Sequence, residues 1–420
     1  MNITGAARAA WAWLDDRLGV HTVMDFLKHK PIPQNRQTPW MYTGSLILMF
    51  FGIQVLTGIM LAFYYRPTLE EANKSVGEIM TKVPLGWVIR SVHSWSATFM
   101  IAVVFIHLLS VWVLKSYRKP REITWMSGVL LLIFTLAFGF TGYLLPWDAL
   151  SLAATKVGTD IPRSIPLIGA WGTKFLRGGE DITGDTLSRF FSFHVSVLPL
   201  CLLAALALHV YLIQKLGMSL PVGADEEVEA RRVIPFWPNF VYREGIVWLV
   251  FVGLLITVAV CLPPTLGKAA DLMAPAPEGI KPEWYFLFLF QTLKLFPAKI
   301  LFATGDTVAV LLIVLGVGLF FFLPLIDNRP EGRKGKIITG LAFLFIVYAV
   351  VMSVWSLQTP SQPEPDKIVA GPQNIKESTG VWVFLAGIWL SIAVLIYLLR
   401  LKIKETDRLF NIGYFSSDKR

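Results

Sequence analysis

Four of the six histidines lie within two apolar segments of the chain, at spacings that pair imidazoles at matched depths. His93 and His107 are fourteen residues apart, and His194 and His209 are fifteen apart. In α-helices these intervals separate the side chains by about 21 and 22 Å along the axis and return them to within about 40° and 60° of one face. Two such helices side by side would offer two imidazole pairs, His93 with His194 and His107 with His209.

An imidazole pair from two neighbouring helices is a sufficient protein site for a haem, because the iron takes one axial ligand on each face of a planar ring. Zinc would require four ligands that converge on one point. A single intramembrane histidine more often packs against a neighbouring helix. Four at matched depths indicate function, because ionisable groups in a bilayer are costly. The pattern predicts two b-type haems, bound without a covalent link.

Four glycines repeat the fourteen-residue interval on two further apolar segments, Gly44 and Gly58 on the first and Gly128 and Gly142 on the third. Glycine lets a flat macrocycle approach the backbone closely. Ordinary helix packing explains any one of these glycines but not the shared interval. We therefore expect each of these helices to present one hollow at each haem level.

Three arginines are candidate partners of the haem propionates. Arg90 and Arg189 precede His93 and His194 by three and five residues, and Arg121 lies near the opposite surface. Contact with a lipid headgroup is an equal alternative for Arg189. Arg121 could instead be a topology-determining charge.

Composition places the chain in a membrane, since 55% of its 420 residues are hydrophobic and only 16% are charged. The net charge is +9, and the basic residues lie in short loops between apolar segments. This distribution is typical of charges that orient a membrane protein rather than of a nucleic-acid-binding surface. We predict an all-α integral membrane fold whose first four helices form a di-haem four-helix bundle. The eight predicted transmembrane helices are 41–64, 88–114, 124–145, 191–213, 245–263, 306–326, 337–356 and 380–399.

Lys and Arg are more frequent in the N-terminal segment, the even-numbered loops and the C-terminus, which places both termini in the cytoplasm. Two long loops on the opposite, positive side, 146–190 and 264–305, are expected to fold back over a site. Four regions are predicted in chain order. They are an amphipathic N-terminal surface segment (1–40), the di-haem bundle (41–218), a connecting cytoplasmic segment (219–240) and a C-terminal four-helix region (241–420).

Together these features resemble the cytochrome b subunit of quinol-oxidising cytochrome bc and b/f complexes. The resemblance covers nearly the whole chain. Besides the histidines and glycines it rests on TGYLLPWD at 141–148, RFFSFH at 189–194 and PEWYF at 282–286. The first half resembles the chloroplast-type b subunit. The second half resembles the separate small subunit of that complex, carried here on one chain and extended by a further span.

The resemblance implies a subunit that handles quinone at two sites. Quinol would be oxidised at the positive side, with one electron passing to a Rieske iron–sulfur protein and on to a c-type cytochrome subunit or carrier. The other electron would cross through the two haems to quinone near the cytoplasmic side. A homodimeric complex in a lipid bilayer is implied. We expect a bacterial plasma membrane, chiefly because both halves are on one chain.

Glu283 is the residue expected to carry the chemistry of quinol oxidation. A carboxylate in an apolar stretch should have a raised pKa, suited to accepting a quinol proton. The alternative is a surface carboxylate that begins a short helix. The other residues expected around the quinol are Pro282, Trp284, Tyr285, Pro146 and Trp147.

The quinone site near the cytoplasmic side is poorly marked in the sequence. Lys215 and Asp25 are the best polar candidates, although a snorkelling lysine and a solvated aspartate are the simpler interpretations. Gln214 and Lys215 replace the Arg–Lys pair of the chloroplast-type subunit. Tyr42 replaces the cysteine that attaches an additional haem there. We therefore expect no covalent haem at Tyr42, whereas an additional non-covalent haem remains open.

Two other functions would also use intramembrane histidines. The di-haem cytochrome b anchor of a hydrogenase or formate dehydrogenase has fewer spans and lacks the PEWY motif and the repeated glycines. A proton-coupled transporter could relay protons through histidines, but internal repeats and broken helices would be expected.

Overall fold

The structure is a computed structural model that describes residues 3–35, 37–223, 233–275, 279–327, 332–358 and 379–409. The chain divides into two compact units. The first unit comprises Met1–Leu46, Met218–Leu254 and Thr379–Arg420, and the second comprises Ile47–Gly217 and Leu255–Ser378. Of the predicted connecting segment 219–240, residues 224–232 lie outside the described residues.

The described residues form sixteen α-helices and four short strands, which are numbered here in chain order. The helices are α1 (Ile3–Leu18), α2 (Val20–His29), α3 (Thr38–Ala62), α4 (Ala72–Thr81), α5 (Gly86–Val113), α6 (Glu122–Leu144), α7 (Ala149–Asp160), α8 (Gly169–Arg177), α9 (Gly184–Ser192), α10 (Leu198–Leu216), α11 (Val241–Cys261), α12 (Leu287–Lys294), α13 (Gly305–Phe321), α14 (Leu323–Ile326), α15 (Arg333–Gln358) and α16 (Thr379–Leu409). The strands are β1 (Pro31–Pro33), β2 (Val233–Pro235), β3 (Lys299–Ile300) and β4 (Ala303–Thr304), paired antiparallel as β1 with β2 and β3 with β4.

Seven helical segments among the described residues are long and apolar enough to cross a membrane. They are Thr38–Ala62, Gly86–Val113, Glu122–Leu144, Gly184–Leu216, Phe236–Cys261, Arg333–Gln358 and Trp382–Asp407. The prediction of an all-α membrane fold is confirmed. The predicted span 306–326 consists of two consecutive helices, α13 and α14, of which only the apolar α13 approaches the length of a span.

Pro324 gives the physical reason for the division between α13 and α14. A proline has no backbone N–H and its ring crowds the carbonyl four residues earlier, so a continuous helix would leave the Phe320 carbonyl without its usual donor. In the structure the Trp125 indole Nε1 donates to that carbonyl at 2.9 Å. A side chain from α6 therefore supplies the hydrogen bond that the helix cannot.

The second unit holds the helices on which the histidines lie. Helix α6 packs against α5 and α10, and α15 packs against α5 and α12. One buried cluster joins the ends of α5 and α6 to the helices of the second half. Its buried members are Leu108, Trp112, Tyr117, Trp125, Val129, Leu323, Ile338 and Ala342.

The first unit holds the N-terminal segment and the last helix. Gly19, at φ 60° in the left-handed region, joins α1 to α2, and both helices expose aromatic side chains such as Trp13 and Phe26. At the other end of the chain, Asp407 of α16 is only 3% exposed and accepts hydrogen bonds from Arg243 at 2.9 and 3.1 Å and from Asn239 at 2.8 Å. Nη2 of Arg243, which contacts both carboxylate oxygens, and the Asn239 amide therefore fix α16 to the start of α11.

Candidate functional site

The structure brings the four intramembrane histidines together as two pairs. The rings of His93 and His194 lie 6.4 Å apart between centroids and meet edge to face. His107 and His209 are close enough to interact electrostatically. We call the His93–His194 pair the first level and the His107–His209 pair the second level.

A π-helical turn at Phe193–Val197 compensates for the one extra residue between His194 and His209 on the fourth span. Pro199 lacks the N–H that would bond the Val195 carbonyl in an α-helix, and the Leu198 N–H instead donates to Phe193, five residues earlier. A π turn contains about one residue more than an α turn. The fifteen-residue interval between His194 and His209 is thus brought close to the fourteen-residue interval between His93 and His107.

Three of the four predicted glycines lie directly against histidine rings. A Cβ at Gly58 would lie 3.3 Å from Cε1 of His93, and a Cβ at Gly142 would lie 2.7 Å from Cε1 of His194. A Cβ at Gly128 would lie 3.3 Å from Cε1 of His209. Gly44 lies in α3. At both levels, therefore, the imidazole occupies space that a side chain in place of the glycine would fill.

A hydroxyl group contacts Nδ1 of three of these histidines. The Oγ1 atom of Thr57 lies 2.8 Å from Nδ1 of His93. Thr141 lies 3.0 Å from His194 and Ser127 lies 2.9 Å from His209, measured between the same kinds of atoms.

These hydroxyls determine which ring nitrogen carries the proton. Each hydroxyl also lies within hydrogen-bond distance of a backbone carbonyl of its own helix. The pairs are Thr57 with Ile53 at 2.6 Å, Thr141 with Ala137 at 2.8 Å and Ser127 with Thr124 at 2.9 Å. A carbonyl can only accept, and a hydroxyl has one hydrogen to donate, so we assign that hydrogen to the carbonyl and the imidazole Nδ1–H as the donor to the hydroxyl oxygen. Nδ1 is therefore protonated, and the lone pair of Nε2 is left for a metal.

The sequence signal for these hydroxyls is a Ser or Thr immediately before each repeated glycine, a pattern that the prediction from histidine and glycine spacing does not include. It occurs at Thr43–Gly44, Thr57–Gly58, Ser127–Gly128 and Thr141–Gly142. Placed beside the glycine, the hydroxyl reaches the histidine that the glycine accommodates. The four dipeptides together are more informative than the glycines alone.

The donor set fits a haem better than an isolated metal ion. Within the described residues no three His, Cys, Asp or Glu side chains converge as a metal site. Each level offers two imidazoles, and glycine hollows lie against them. Two imidazoles at each level, with glycines beside them, suit an iron whose other four ligands come from a macrocycle.

Glu283 lies at the start of a short 3₁₀ turn, Trp284–Phe286, that leads into α12. Burial raises the pKa of the Glu283 carboxyl above its ordinary value, and a hydrogen bond from the Trp284 backbone lowers that pKa to a smaller extent. Tyr285 is buried, and its hydroxyl occupies the space beside Gly139 of α6, where a Cβ would come within 2.6 Å. Trp284 meets Phe105 of α5 edge to face at 6.3 Å. The PEWY segment thus lies against both α5 and α6.

The two long loops predicted to fold over a site are hydrogen-bonded to each other. The Ala149 N–H donates to the Lys268 carbonyl at 3.1 Å, and the Ala270 N–H donates to the Trp147 carbonyl at 3.0 Å. Trp147 is fully buried at φ 47°, a conformation that costs a non-glycine residue free energy. The corner after α6 is therefore held in one shape by its neighbour.

The three arginines predicted to contact propionates all bond to backbone carbonyls. Arg90 donates to Pro264 at 2.8 Å and to Thr265 at 3.2 Å, which attaches α5 to the loop after α11. Arg189 donates to Phe175 at 2.8 Å. Arg121 donates to Leu216 at the end of α10 at 3.0 Å, and burial lowers the pKa of its guanidinium. Contacts with propionates stay a prediction.

The residues predicted for the second quinone site lie in different units. Lys215, in the last turn of α10, is exposed and lies over the Tyr211 ring at 5.9 Å. Asp25 of α2 lies 3.5 Å from Lys28 and is largely exposed. Tyr42 stacks on Phe240 with centroids 4.9 Å apart and planes 9° apart.

Comparison with known proteins gives a consistent result. The family described as cytochrome b/b6/petB matches residues 27–217, and the family described as cytochrome b (C-terminal)/b6/petD matches residues 269–371. The "cytochrome bc complex cytochrome b subunit" of Chlorobaculum thiosulfatiphilum is 43% identical over 345 residues, which are 82% of this chain and 79% of that protein. The chain belongs to the cytochrome b family.

Two further comparisons extend this result. The "cytochrome b6" of Stigeoclonium helveticum is 40% identical over 210 residues, which are 50% of this chain and 97% of that protein. A chain of the solved structure titled "Hyperthermophilic respiratory Complex III" aligns with a TM-score of 0.75 and 26% identity, covering 93% of this chain and 97% of that one. This cytochrome b is thus a haem-binding, membrane electron-transfer subunit of a quinol-oxidising bc-type complex, as predicted. The hydrogenase-anchor and transporter hypotheses are excluded.

Proposed function

We propose that this cytochrome b holds two b haems without a covalent link, one between His93 and His194 and one between His107 and His209. The observation that carries this proposal is the pairing of each Nδ1–H with a hydroxyl at His93, His194 and His209, which leaves Nε2 available to iron. When bound, the haems supply reversible one-electron transfer. The role of the chain is to hold the rings of the imidazoles in one orientation and to keep water away.

The glycines and the remaining polar residues support the same arrangement. Gly58, Gly128 and Gly142 keep the space beside the imidazoles open. Gly44 completes the repeated interval in the sequence. The stacking of Tyr42 on Phe240, and the absence of a thiol at Tyr42, support two haems without a covalently attached third.

Quinol oxidation is proposed at Glu283, on the side of the membrane nearer the first level. The partly buried carboxyl, with its raised pKa, would accept a quinol proton. One electron would pass to a Rieske iron–sulfur protein and on to a c-type cytochrome, and the other through the two haems to quinone near the second level. The cycle contributes to a proton gradient. Trp284 and Tyr285, packed against α5 and α6, and Pro146 with Trp147 would bound the quinol.

The distribution of Lys and Arg and the resemblance to cytochrome b subunits support a proposal for the membrane, the orientation and the oligomeric state. We propose that both termini face the cytoplasm of a bacterial cell, so that the first level lies near the positive side of the plasma membrane. A homodimeric complex is proposed. Lys215 and Asp25 are retained as candidates for the second quinone site, which has less support than the first.

A reduced-minus-oxidised absorption spectrum of the purified complex tests the haem proposal. Two b-type components are expected. His107→Ala should remove one component and leave the first-level haem in place. A wild-type spectrum without b-type bands, or an unchanged spectrum in His107→Ala, would reject the assignment.

A further inference from the structure

The loop after α11 crosses the second unit as a strap, defined here as residues 262–270. Trp95 of α5 donates to the Leu262 carbonyl at 2.7 Å, and Arg90 donates to Pro264 and Thr265. The Gly267 N–H donates to Asp148 Oδ2 at 3.1 Å. Most of the strap lies between the two regions that match family models, because the first region ends at residue 217 and the second begins at residue 269.

Helix α4 also contacts the strap. Leu266 is fully buried and packs against Val76 and Met80 of α4. One turn earlier on α4, Asn73 directs its side-chain amide to the strap and to the corner at 146–149 at the same time. Its Nδ2 lies 3.2 Å from the Gly267 carbonyl and 3.2 Å from the Pro146 carbonyl.

An amide nitrogen carries two hydrogens in fixed directions, so one Asn73 side chain can satisfy both carbonyls only at one separation of the two segments. Backbone hydrogen bonds from Ala149 to Lys268 and from Ala270 to Trp147 already join the corner to the strap, whereas no backbone hydrogen bond among the described residues joins either segment to α4. We propose that Asn73 is a positioning residue of the quinol site, whose amide holds the joined corner at 146–149 and strap at 262–270 in one position on α4. The inference rests on the proposed function, because it takes Pro146 and Trp147 as one wall of the quinol pocket.

Loss of this amide should loosen the wall without changing the groups that react. Glu283 and the histidines lie on other elements, so the step after binding is retained and the cost falls on binding. Asn73→Leu leaves two carbonyls without donors. Asn73→Asp keeps the shape of the side chain but as a carboxylate it can only accept, and it repels both carbonyls. The matched control is Lys74→Gln on the same helix, since Lys74 is 60% exposed and pairs only with Glu71 within the described residues.

The test measures kcat and KM for a short-chain quinol in the assembled complex, together with haem content and hydrogen exchange of the strap amides. We expect KM to rise about tenfold in both Asn73 variants, the equivalent of one or two neutral hydrogen bonds. We also expect kcat within about twofold of wild type, since substrate binding alone is weakened. Haem spectra should be unchanged, Gly267 and Ala270 should exchange faster, and Lys74→Gln should match wild type.

Two outcomes would overturn the inference. One is an unchanged KM, with or without a fall in kcat. The other is loss of haem in both Asn73 variants, which would make the residue a general structural support. Glu283→Gln measured in parallel separates this inference from the proposed function. If Glu283→Gln is slow and both Asn73 variants behave as wild type, only the inference fails. If Glu283→Gln turns over normally, the assignment of the pocket fails as well.

Discussion

A Cβ atom at Gly142 would lie 2.7 Å from Cε1 of His194 and 3.4 Å from both ring nitrogens. Carbon atoms in contact normally remain about 3.5 to 4.0 Å apart, so the two residues cannot both keep their positions if Gly142 gains a methyl group. The imidazole also meets the Phe138 ring of α6 edge to face, at a centroid distance of 5.4 Å. The ligand at the first level is thus confined by α6.

Gly142→Ala should therefore displace His194 and selectively weaken the first-level haem. We expect the first-level component of the reduced-minus-oxidised spectrum to be lost or reduced by more than half, while the second-level component persists. Redox titration of the purified complex separates the two components.

Two glycine substitutions control for this effect. Gly128→Ala, at 3.3 Å from His209, should perturb the other haem and more mildly. Gly52→Ala meets nothing within 4 Å of its Cβ and should leave both components intact. Equal loss of both haems in Gly142→Ala would contradict the assignment of levels.

The Thr141 hydroxyl predicts a shift in redox potential. By accepting from Nδ1–H it makes the His194 imidazole more basic, which favours ferric iron. Thr141→Val keeps the shape and removes that acceptor, so the midpoint potential of the first-level haem should rise. A single hydrogen bond of ~0.5–1.5 kcal/mol corresponds to about 20–60 mV for a one-electron couple. Potentiometric titration measures the shift.

The matched control lies on the same helix. The Thr135 hydroxyl is buried and donates only to the Leu131 carbonyl within the described residues. Thr135→Val should leave both potentials unchanged. A shift of the second-level haem in Thr141→Val, or no shift at all, would count against the tautomer assigned to His194.

The spacing of residues carried most of what could be predicted about the haem levels. Histidine intervals and glycine intervals follow helical periodicity, so four positions on two segments were enough to pair them. The hydroxyls were not found because Ser and Thr bond to their own backbone in many helices, and a single one carries no signal. Only their repetition before each glycine is specific.

Other features depend on tertiary context that no local pattern contains. The π turn at Phe193–Val197 follows from Pro199, but a proline there could equally have kinked the helix. Arg90 was expected at a haem propionate because it lies one turn from His93, yet its partners Pro264 and Thr265 are more than 170 residues away. The role of Asn73 has the same origin, since Pro146 and Gly267 are distant in the sequence.

Glu283 predicts a pH dependence of quinol oxidation. Burial favours the neutral acid and raises the pKa of the carboxyl, so the base form appears only as the pH rises through that raised value. The rate kcat/KM should therefore increase with pH through a midpoint above the ordinary value of 4.5 and then level off. Glu283→Gln should abolish this rise of kcat/KM with pH. It should also slow turnover by about a hundredfold or more, as expected for loss of a general base.

The haem spectra separate this effect from misfolding. Both components should remain in Glu283→Gln, because Glu283 contacts neither histidine pair within the described residues. An unchanged rate, or an unchanged acid limb in the pH profile, would show that another group accepts the proton.

A buried ion pair at the second-level end of the helices predicts a large change in stability. Lys115 Nζ lies 2.8 Å from Asp327 Oδ2, with side-chain exposures of 6% and 0%, and the Tyr117 hydroxyl donates to the same oxygen at 2.5 Å. Lys115 also donates to the Gly335 carbonyl at 2.8 Å. These bonds join the loop between α5 and α6 to the helices of the second half.

Asp327→Leu should lower the free energy of unfolding by about 3–5 kcal/mol, because it leaves the Lys115 ammonium buried without a counter-charge. The double variant Lys115→Met with Asp327→Leu removes both charges and should recover most of that loss. Denaturant titration followed by haem absorbance measures both. Lys74→Met, which breaks only an exposed pair with Glu71, should cause no measurable change. If the double variant is as unstable as Asp327→Leu, the pair contributes through packing rather than through charge.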